Sequence, residues 1–150
     1  MANKLFKPLT DWSKHSQLSK SEKGAVSRKK GYHVEKIVTT FLIKQGLEEI
    51  CCNYSCKLGE IDLILKDQDT LVFTEIRYRN SASFGSGIET VSTSKQKKII
   101  RTAEHFLQAN PWSKNYYCRF DVVGASPSIL KKEYCYEELE LNWIKDAFQT

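Results

Sequence analysis

The sequence lacks the features that mark several large classes of protein. No apolar run approaches the roughly 20 residues that a membrane-spanning helix requires, and no GxxxxGK loop is present to cradle a nucleotide phosphate. Residues 1–10 contain no apolar segment typical of a secretory signal. We therefore expect a cytoplasmic protein that does not contact a membrane and is not an ATPase of the P-loop type.

Cysteine and histidine are too few and too scattered to indicate a metal site or a disulfide framework. The chain has five cysteines, an odd number, and none of them forms a CxxC pair. The three histidines, His15, His33 and His105, fall in different segments. We expect free thiols that are buried or half-buried, and no histidine-based metal site or triad.

The excess of basic residues lies at the N-terminus. The chain holds 23 Lys and Arg against 18 Asp and Glu, a net charge of +5. Residues 1–30 carry eight of these bases and two of the acids, which leaves −1 for the other 120 residues. We divide the chain into a basic extension, residues 1–30, whose composition is compatible with disorder, and a single domain, residues 31–150. The extension is either a nucleic-acid-binding segment or a solvated tail.

The apolar pattern of the domain predicts the element order α-β-β-β-α-β-β. Helical spacing from Gly31 to Gln45 is followed by strand-like segments. A loop at 81–87 leads to a second helix from Ser94, its expected N-cap, to Ala109. The strand-like segments are 49–57, 60–66, 70–79, 117–123 and 133–143, and a closing helical turn is expected at 144–148. This order predicts an α/β fold.

A tight turn at residues 68–69 would bring acids from two strands together. The register set by this turn pairs Asp62 with Glu75 and Glu60 with Arg77, all on one face. Opposed residues have Cβ atoms roughly 4.5–5.5 Å apart, so the two acids repel unless a cation lies between them. Mg²⁺ would serve, and such a site suits phosphoryl chemistry. The alternative is a solvated hairpin face with a Glu60–Arg77 ion pair. The opposite face is expected to be apolar: Ile61, Leu63 and Leu65.

The two predicted helices carry polar residues that could face the same region. Glu35 lies at the rim of the first apolar stripe and is either a cleft residue or an ordinary first-turn acid. Gln96 lies on the apolar side of the second helix. It is either a site residue or a glutamine whose hydrogen bonds are made with nearby backbone. Basic residues cover the outer face of this helix and its rim, as a DNA contact surface or a solvated face: Lys95, Lys97, Lys98 and Arg101.

The hairpin motifs resemble those of the YraN-like family of small bacterial proteins. The matching segments are GEIDLI at 59–64 and LVFTEIRYR at 71–79, and RFDVV at 119–123 extends the match. The resemblance covers about Gly31 to Phe148. That family is similar to the PD-(D/E)XK nuclease superfamily, in particular archaeal Holliday-junction resolvases. The resemblance implies a restriction-endonuclease-like core, with a central mixed β-sheet flanked by helices.

The same resemblance implies a Mg²⁺- or Mn²⁺-dependent endonuclease that acts on structured or branched DNA. Asp62 and Glu75 match the metal-binding acids, and Glu35 matches the helix acid that completes some resolvase-like sites. Arg77 takes the place of the usual lysine. An arginine stays protonated and cannot act as a base, although its fork of donors can stabilise phosphate charge. Gln96 completes the expected catalytic set by contacting a nucleotide or ordering a water.

Arg77 leaves two further functions open. The first is a non-catalytic nucleic-acid-binding module that keeps the fold and has lost turnover. The second is a protein-interaction module, such as a homodimer formed along an exposed sheet edge. Arg79 is either an additional phosphate contact or a solvent-exposed residue.

Overall fold

The structure is a computed structural model that describes residues 20–79, 91–127 and 139–149. Three predicted features lie outside these ranges: most of the basic extension, the loop at 81–87 and the start of the strand at 133. Within the described ranges, no helix is long and apolar enough to cross a membrane.

The described elements follow the predicted order. They are α1 (Lys20–Lys44), β1 (Glu48–Cys56), β2 (Gly59–Asp67), β3 (Thr70–Tyr78), α2 (Thr93–Ala109), a 3₁₀ helix (Pro111–Asn115), β4 (Tyr117–Pro127) and β5 (Leu139–Phe148). The strands form one sheet in chain order, in which β3 and β4 are parallel and the other neighbours are antiparallel. The predicted α/β class with a mixed sheet is confirmed, and it is consistent with a restriction-endonuclease-like core.

Each helix covers one face of the sheet. The apolar stripe of α1 packs on one face with residues such as Leu63, Leu65 and Val72. The stripe of α2 packs on the other face with residues such as Ile64 and Phe73. A parallel pair of strands needs a crossover connection, and α2 lies within the connection between β3 and β4. Burial on both faces explains why β2 and β3 read as nearly continuous apolar runs.

The β2–β3 hairpin has the predicted turn and register. Gln68 has a φ of 53°, and the ladder runs from Asp67–Thr70 to Leu63–Thr74. The ladder ends there, one residue before Asp62 and Glu75. The predicted pairing of Glu60 with Arg77 is therefore wrong, because the β2–β3 ladder does not extend to these residues. Asp62 and Glu75, one position beyond the last pair, are also not paired in the ladder.

Both predicted helix starts differ from the structure. Helix α1 begins at Lys20 rather than at Gly31, in a part of the chain with no apolar period. Helix α2 is capped by Ser92 rather than Ser94, since Ser92 Oγ accepts a hydrogen bond from Lys95 N at 3.4 Å.

The predicted closing helical turn at 144–148 is the end of strand β5. A bulge makes Val122 pair with Ile144 and Phe120 with Phe148, so two residues of β4 span four of β5. Asp146 within this bulge has a φ of 51°. The bulge brings Ile144 and Phe148 into the same core cluster, which reproduces a helix-like spacing within a strand.

Candidate metal and phosphate site

Asp62 lies where strands β2 and β3 separate. Its Oδ2 accepts a hydrogen bond of 2.7 Å from the backbone N–H of Ile76. The carboxylate thus satisfies a strand N–H beyond the end of the ladder. The alternation of β2 also changes at this point. Ile61 belongs to the core cluster on the α2 face, whereas strict alternation predicted that it would share a face with Leu63.

Asn53 produces the matching change in strand β1 and connects helix α1 to the site. It lies between the Cys52–Leu63 and Tyr54–Ile61 pairs, opposite Asp62, and has a φ of 51°. Asparagine tolerates this left-handed conformation better than most residues. Its Nδ2 donates a hydrogen bond of 3.0 Å to Glu35 Oε2. Asn53 was not among the residues predicted for the site. An asparagine within a strand-like segment is unusual, and this was the signal that could have identified it.

Glu75 is a buried acid flanked by two cations. It is 4% exposed. Lys95 Nζ lies 3.3 Å from its Oε2, and Arg77 Nη1 lies 3.7 Å from its Oε1. Among the described residues, however, buried Oε2 has no partner with hydrogen-bond geometry. The contact with Lys95 is therefore described as an ion pair, and it lowers the pKa of Glu75.

Burial disfavours the ionised form of both acids. Desolvation raises the pKa of Asp62, and the neighbouring carboxylates of Glu35 and Glu60 raise it further. Desolvation also raises the pKa of Glu75, and the charge of Asp62 adds to this rise. Lys95 lowers both pKa values without reversing either shift. Two neighbouring acids with raised pKa values form a place where a further positive charge is favourable.

These two acids fit a Mg²⁺ or Mn²⁺ ion that keeps much of its water. Glu75 Oε2, whose charge contact with Lys95 lacks hydrogen-bond geometry, and the carboxylate of Asp62 are hard oxygen donors, which Mg²⁺ prefers. In the part of the chain that the structure describes, no three His, Cys, Asp or Glu side chains group as a ready metal cage. Asp62 and Glu75 would therefore hold the ion together with water. Glu35 is close enough to raise the pKa of Asp62 and is held by Asn53.

The remaining predicted residues lie on or beside helix α2 and strand β3. Gln96 is half-buried, and its Nε2 donates a hydrogen bond of 2.7 Å to the carbonyl of Val91. The amide nitrogen is thus engaged with nearby backbone. Arg79 lies directly after β3, where its backbone N–H donates to the carbonyl of Ala125 at 2.9 Å. The basic residues on the outer face of α2 are exposed: Lys97, Lys98 and Arg101.

The fold and the site together define a class of α/β protein with two acids at the open end of a central hairpin. Residues 34–125 match the Uncharacterised protein family UPF0102, to which the YraN-like proteins belong. The chain belongs to this family.

Relatives from several bacteria match most of the chain. A UPF0102 protein of Psychromonas ingrahamii is 42% identical over 123 residues, which cover 82% of this chain and 92% of the relative. One from Nitrosococcus oceani is 39% identical over 85% of this chain and 98% of its own length. One from Coxiella burnetii is 38% identical over 84% and 97%, respectively. The names of these relatives state the family and no activity.

Proposed function

We propose that the protein is a Mg²⁺- or Mn²⁺-dependent endonuclease that hydrolyses phosphodiester bonds in structured or branched DNA. One observation carries this proposal: half-buried Asp62 and buried Glu75 are neighbouring acids, and Glu75 Oε2 makes an ion pair with Lys95 at 3.3 Å but has no partner with hydrogen-bond geometry among the described residues. Lys95 and Arg77 offset only part of the cost of this arrangement, since the pKa of Glu75 remains raised, and a metal ion would offset more of it. A metal held there would polarise a phosphate and lower the pKa of a nearby water.

The surroundings of the two acids favour a phosphate group. Arg77 and Lys95 place positive charge beside Glu75, and Lys95 lies in the first turn of α2. The N-terminus of a helix attracts anions because its first N–H groups point outward. Further along α2, three exposed basic side chains could contact neighbouring phosphates of the same strand: Lys97, Lys98 and Arg101.

The reaction adds water across one phosphodiester bond. The water oxygen forms a bond to phosphorus, and the bond from phosphorus to one sugar oxygen breaks. One proton of the water ends on the leaving sugar hydroxyl, and the other is released from the new phosphate monoester to solvent. A cation beside Glu75 can neutralise charge on a non-bridging oxygen during this step, and Arg77 and Lys95 are the two candidates.

A cleavage assay tests this proposal. Wild-type protein is incubated with linear, flapped and four-way DNA in Mg²⁺, in Mn²⁺ and in EDTA. We expect metal-dependent cleavage that favours the branched substrates and disappears in Asp62→Asn. Asparagine keeps an oxygen for the Ile76 N–H, so this variant removes the charge while preserving the hydrogen bond. Equal cleavage by wild type and Asp62→Asn would identify a contaminating nuclease and refute the proposal.

A second candidate is a non-catalytic nucleic-acid-binding module with a degenerate site. Arg77 favours it, since this side chain is 46% exposed and reaches Glu75 only at 3.7 Å. If the arginine has damaged the site, Arg77→Lys should create or raise metal-dependent turnover. DNA binding without cleavage in wild type, followed by cleavage in Arg77→Lys, would favour this candidate over the first.

A protein-interaction role rests on the exposed edge of the sheet. Strand β1 is an edge of the described sheet, and all nine of its residues are exposed or half-buried. An open edge presents unpaired backbone groups that can pair with a second chain. A homodimer formed there would appear as twice the monomer mass in sedimentation equilibrium. We expect an Ile50→Pro substitution to weaken a dimer of this kind.

A further inference from the structure

Lys95 is the cation that reaches furthest into the acid pair. Its side chain is 28% exposed, compared with 46% for Arg77, and its Nζ is 3.3 Å from Glu75 Oε2. This is also the oxygen that lacks a hydrogen-bond partner among the described residues. Lys95 acts electrostatically on both Asp62 and Glu75. It therefore belongs to the centre of the site rather than to the exposed basic face of α2.

The first turn of α2 holds Lys95 in this position. Ser92 Oγ accepts from Lys95 N at 3.4 Å, and the Ser92 carbonyl accepts from Gln96 N at 2.9 Å. The Gln96 side chain donates to the Val91 carbonyl at 2.7 Å. Because Val91 is buried in the core beneath α2, these contacts fix the helix start relative to the sheet. The Lys95 side chain thus projects from a constrained backbone.

We propose that Lys95, supplied from helix α2, is the catalytic cation that touches the phosphate undergoing hydrolysis, in place of the lysine that the family resemblance puts at position 77. This inference rests on the proposed nuclease function. The ammonium donates N–H groups to a non-bridging phosphate oxygen and to Glu75. A lysine has three such donors on a compact head, whereas the forked guanidinium of Arg77 is larger and lies further out. Arg77 then contributes to DNA binding.

The test compares kcat and KM for metal-dependent DNA cleavage in matched variants. We expect Lys95→Gln to lower kcat by about 100-fold or more, the usual effect of removing one donor to transition-state charge, with KM little changed. Lys95→Arg should keep KM and recover less than about a tenth of kcat, because an arginine does not reproduce the ammonium geometry. Arg77→Gln should mainly raise KM. Lys114→Gln is the control, because Lys114 is exposed and precedes β4 at the end of the sheet opposite Glu75.

Mn²⁺ binding, measured by electron paramagnetic resonance, provides a readout independent of activity. Lys95→Gln should bind Mn²⁺ at least as tightly as wild type, since the substitution removes a competing cation from Glu75. Loss of Mn²⁺ binding in Lys95→Gln would show a purely structural role and overturn the inference. Retention of more than a third of wild-type kcat in Lys95→Gln would also overturn it, while leaving the nuclease function intact. A wild-type protein that cleaves no DNA refutes the nuclease function, and this inference with it.

Discussion

Asp121 is a buried acid that stabilises the fold, and its contribution to the free energy of unfolding can be tested. It is fully buried, and its two oxygens accept four hydrogen bonds. The donors are Arg119 Nε and Nη2, Trp143 Nε1 and the backbone N–H of Asp146, at 2.9, 3.2, 2.9 and 2.9 Å. Asp121 thus ties the bulged end of β5 to β4. Glu75, in contrast, is buried with an oxygen that has no hydrogen-bond partner among the described residues.

Asp121→Asn preserves the size of the side chain and changes its hydrogen bonding. Every contact of Asp121 named above is with a donor, so the new NH₂ group must face two donors whichever way the amide is oriented. One charge-assisted bond is worth about 1.5–3 kcal/mol, and a buried group left unsatisfied costs about 1–3 kcal/mol. We expect the free energy of unfolding to fall by about 3–5 kcal/mol, the range found when a buried ion pair loses one partner. At about 2–4 °C per kcal/mol for a chain of this size, Tm should fall by about 6–20 °C.

Urea unfolding followed by tryptophan fluorescence measures this loss. The control is Asp67→Asn, because Asp67 contacts the same Arg119 from a partly exposed position at 3.1 Å. A pair of this kind contributes less than about 1 kcal/mol. If Asp121→Asn lowers the free energy of unfolding no more than Asp67→Asn does, the hydrogen bonds of Asp121 do not stabilise the fold.

Three further predictions concern the acid pair and the basic face of α2. Mn²⁺ at about 100 times its Kd should stabilise wild type by about 2.7 kcal/mol. This corresponds to a rise of about 5–10 °C in Tm. An equal rise in the Tm of Asp62→Asn would show that the metal binds elsewhere. Because burial raises the pKa of Glu75, its ionised form is disfavoured in the fold. Without metal, stability should therefore fall as pH rises from the ordinary carboxyl pKa of about 4 through the raised value. Glu75→Gln should lose less stability as pH rises and should be more stable than wild type above the raised pKa. If urea unfolding gives the same dependence of stability on pH for both proteins, Glu75 is not the group responsible. Replacing Lys97, Lys98 and Arg101 by glutamine should weaken the salt dependence of DNA binding. The slope of the logarithm of the DNA-binding constant against the logarithm of salt concentration should fall by about 0.9 per lost phosphate contact. An unchanged slope, measured by fluorescence anisotropy, would show that this face does not bind DNA.

Local patterns were sufficient for the element order and for the central hairpin. The polar turn at 68–69 between two apolar runs determines the register, because side chains alternate with a period of two and a slip would expose the core. The pattern failed at the end of β5, where a bulge gives Ile144 and Phe148 a helix-like spacing. The bulge depends on a contact with the neighbouring strand, since the backbone N–H of Asp146 donates to Asp121 of β4. The local spacing of residues in β5 does not reveal that partner.

The sequence by itself determined that Asp62 and Glu75 are near each other, since both belong to one hairpin with a short turn. Tertiary structure alone decided what surrounds them. The separation of β2 and β3 leaves the Ile76 N–H for Asp62, Asn53 of β1 holds Glu35, and α2 brings Lys95 to Glu75 across 20 positions of chain. Periodicity within α2 placed Lys95 at the rim of the basic face of this helix, but periodicity cannot specify which residues of the sheet lie next to that rim. That contact follows from how the crossover helix packs against the sheet, which depends on burial shared by residues distant in sequence.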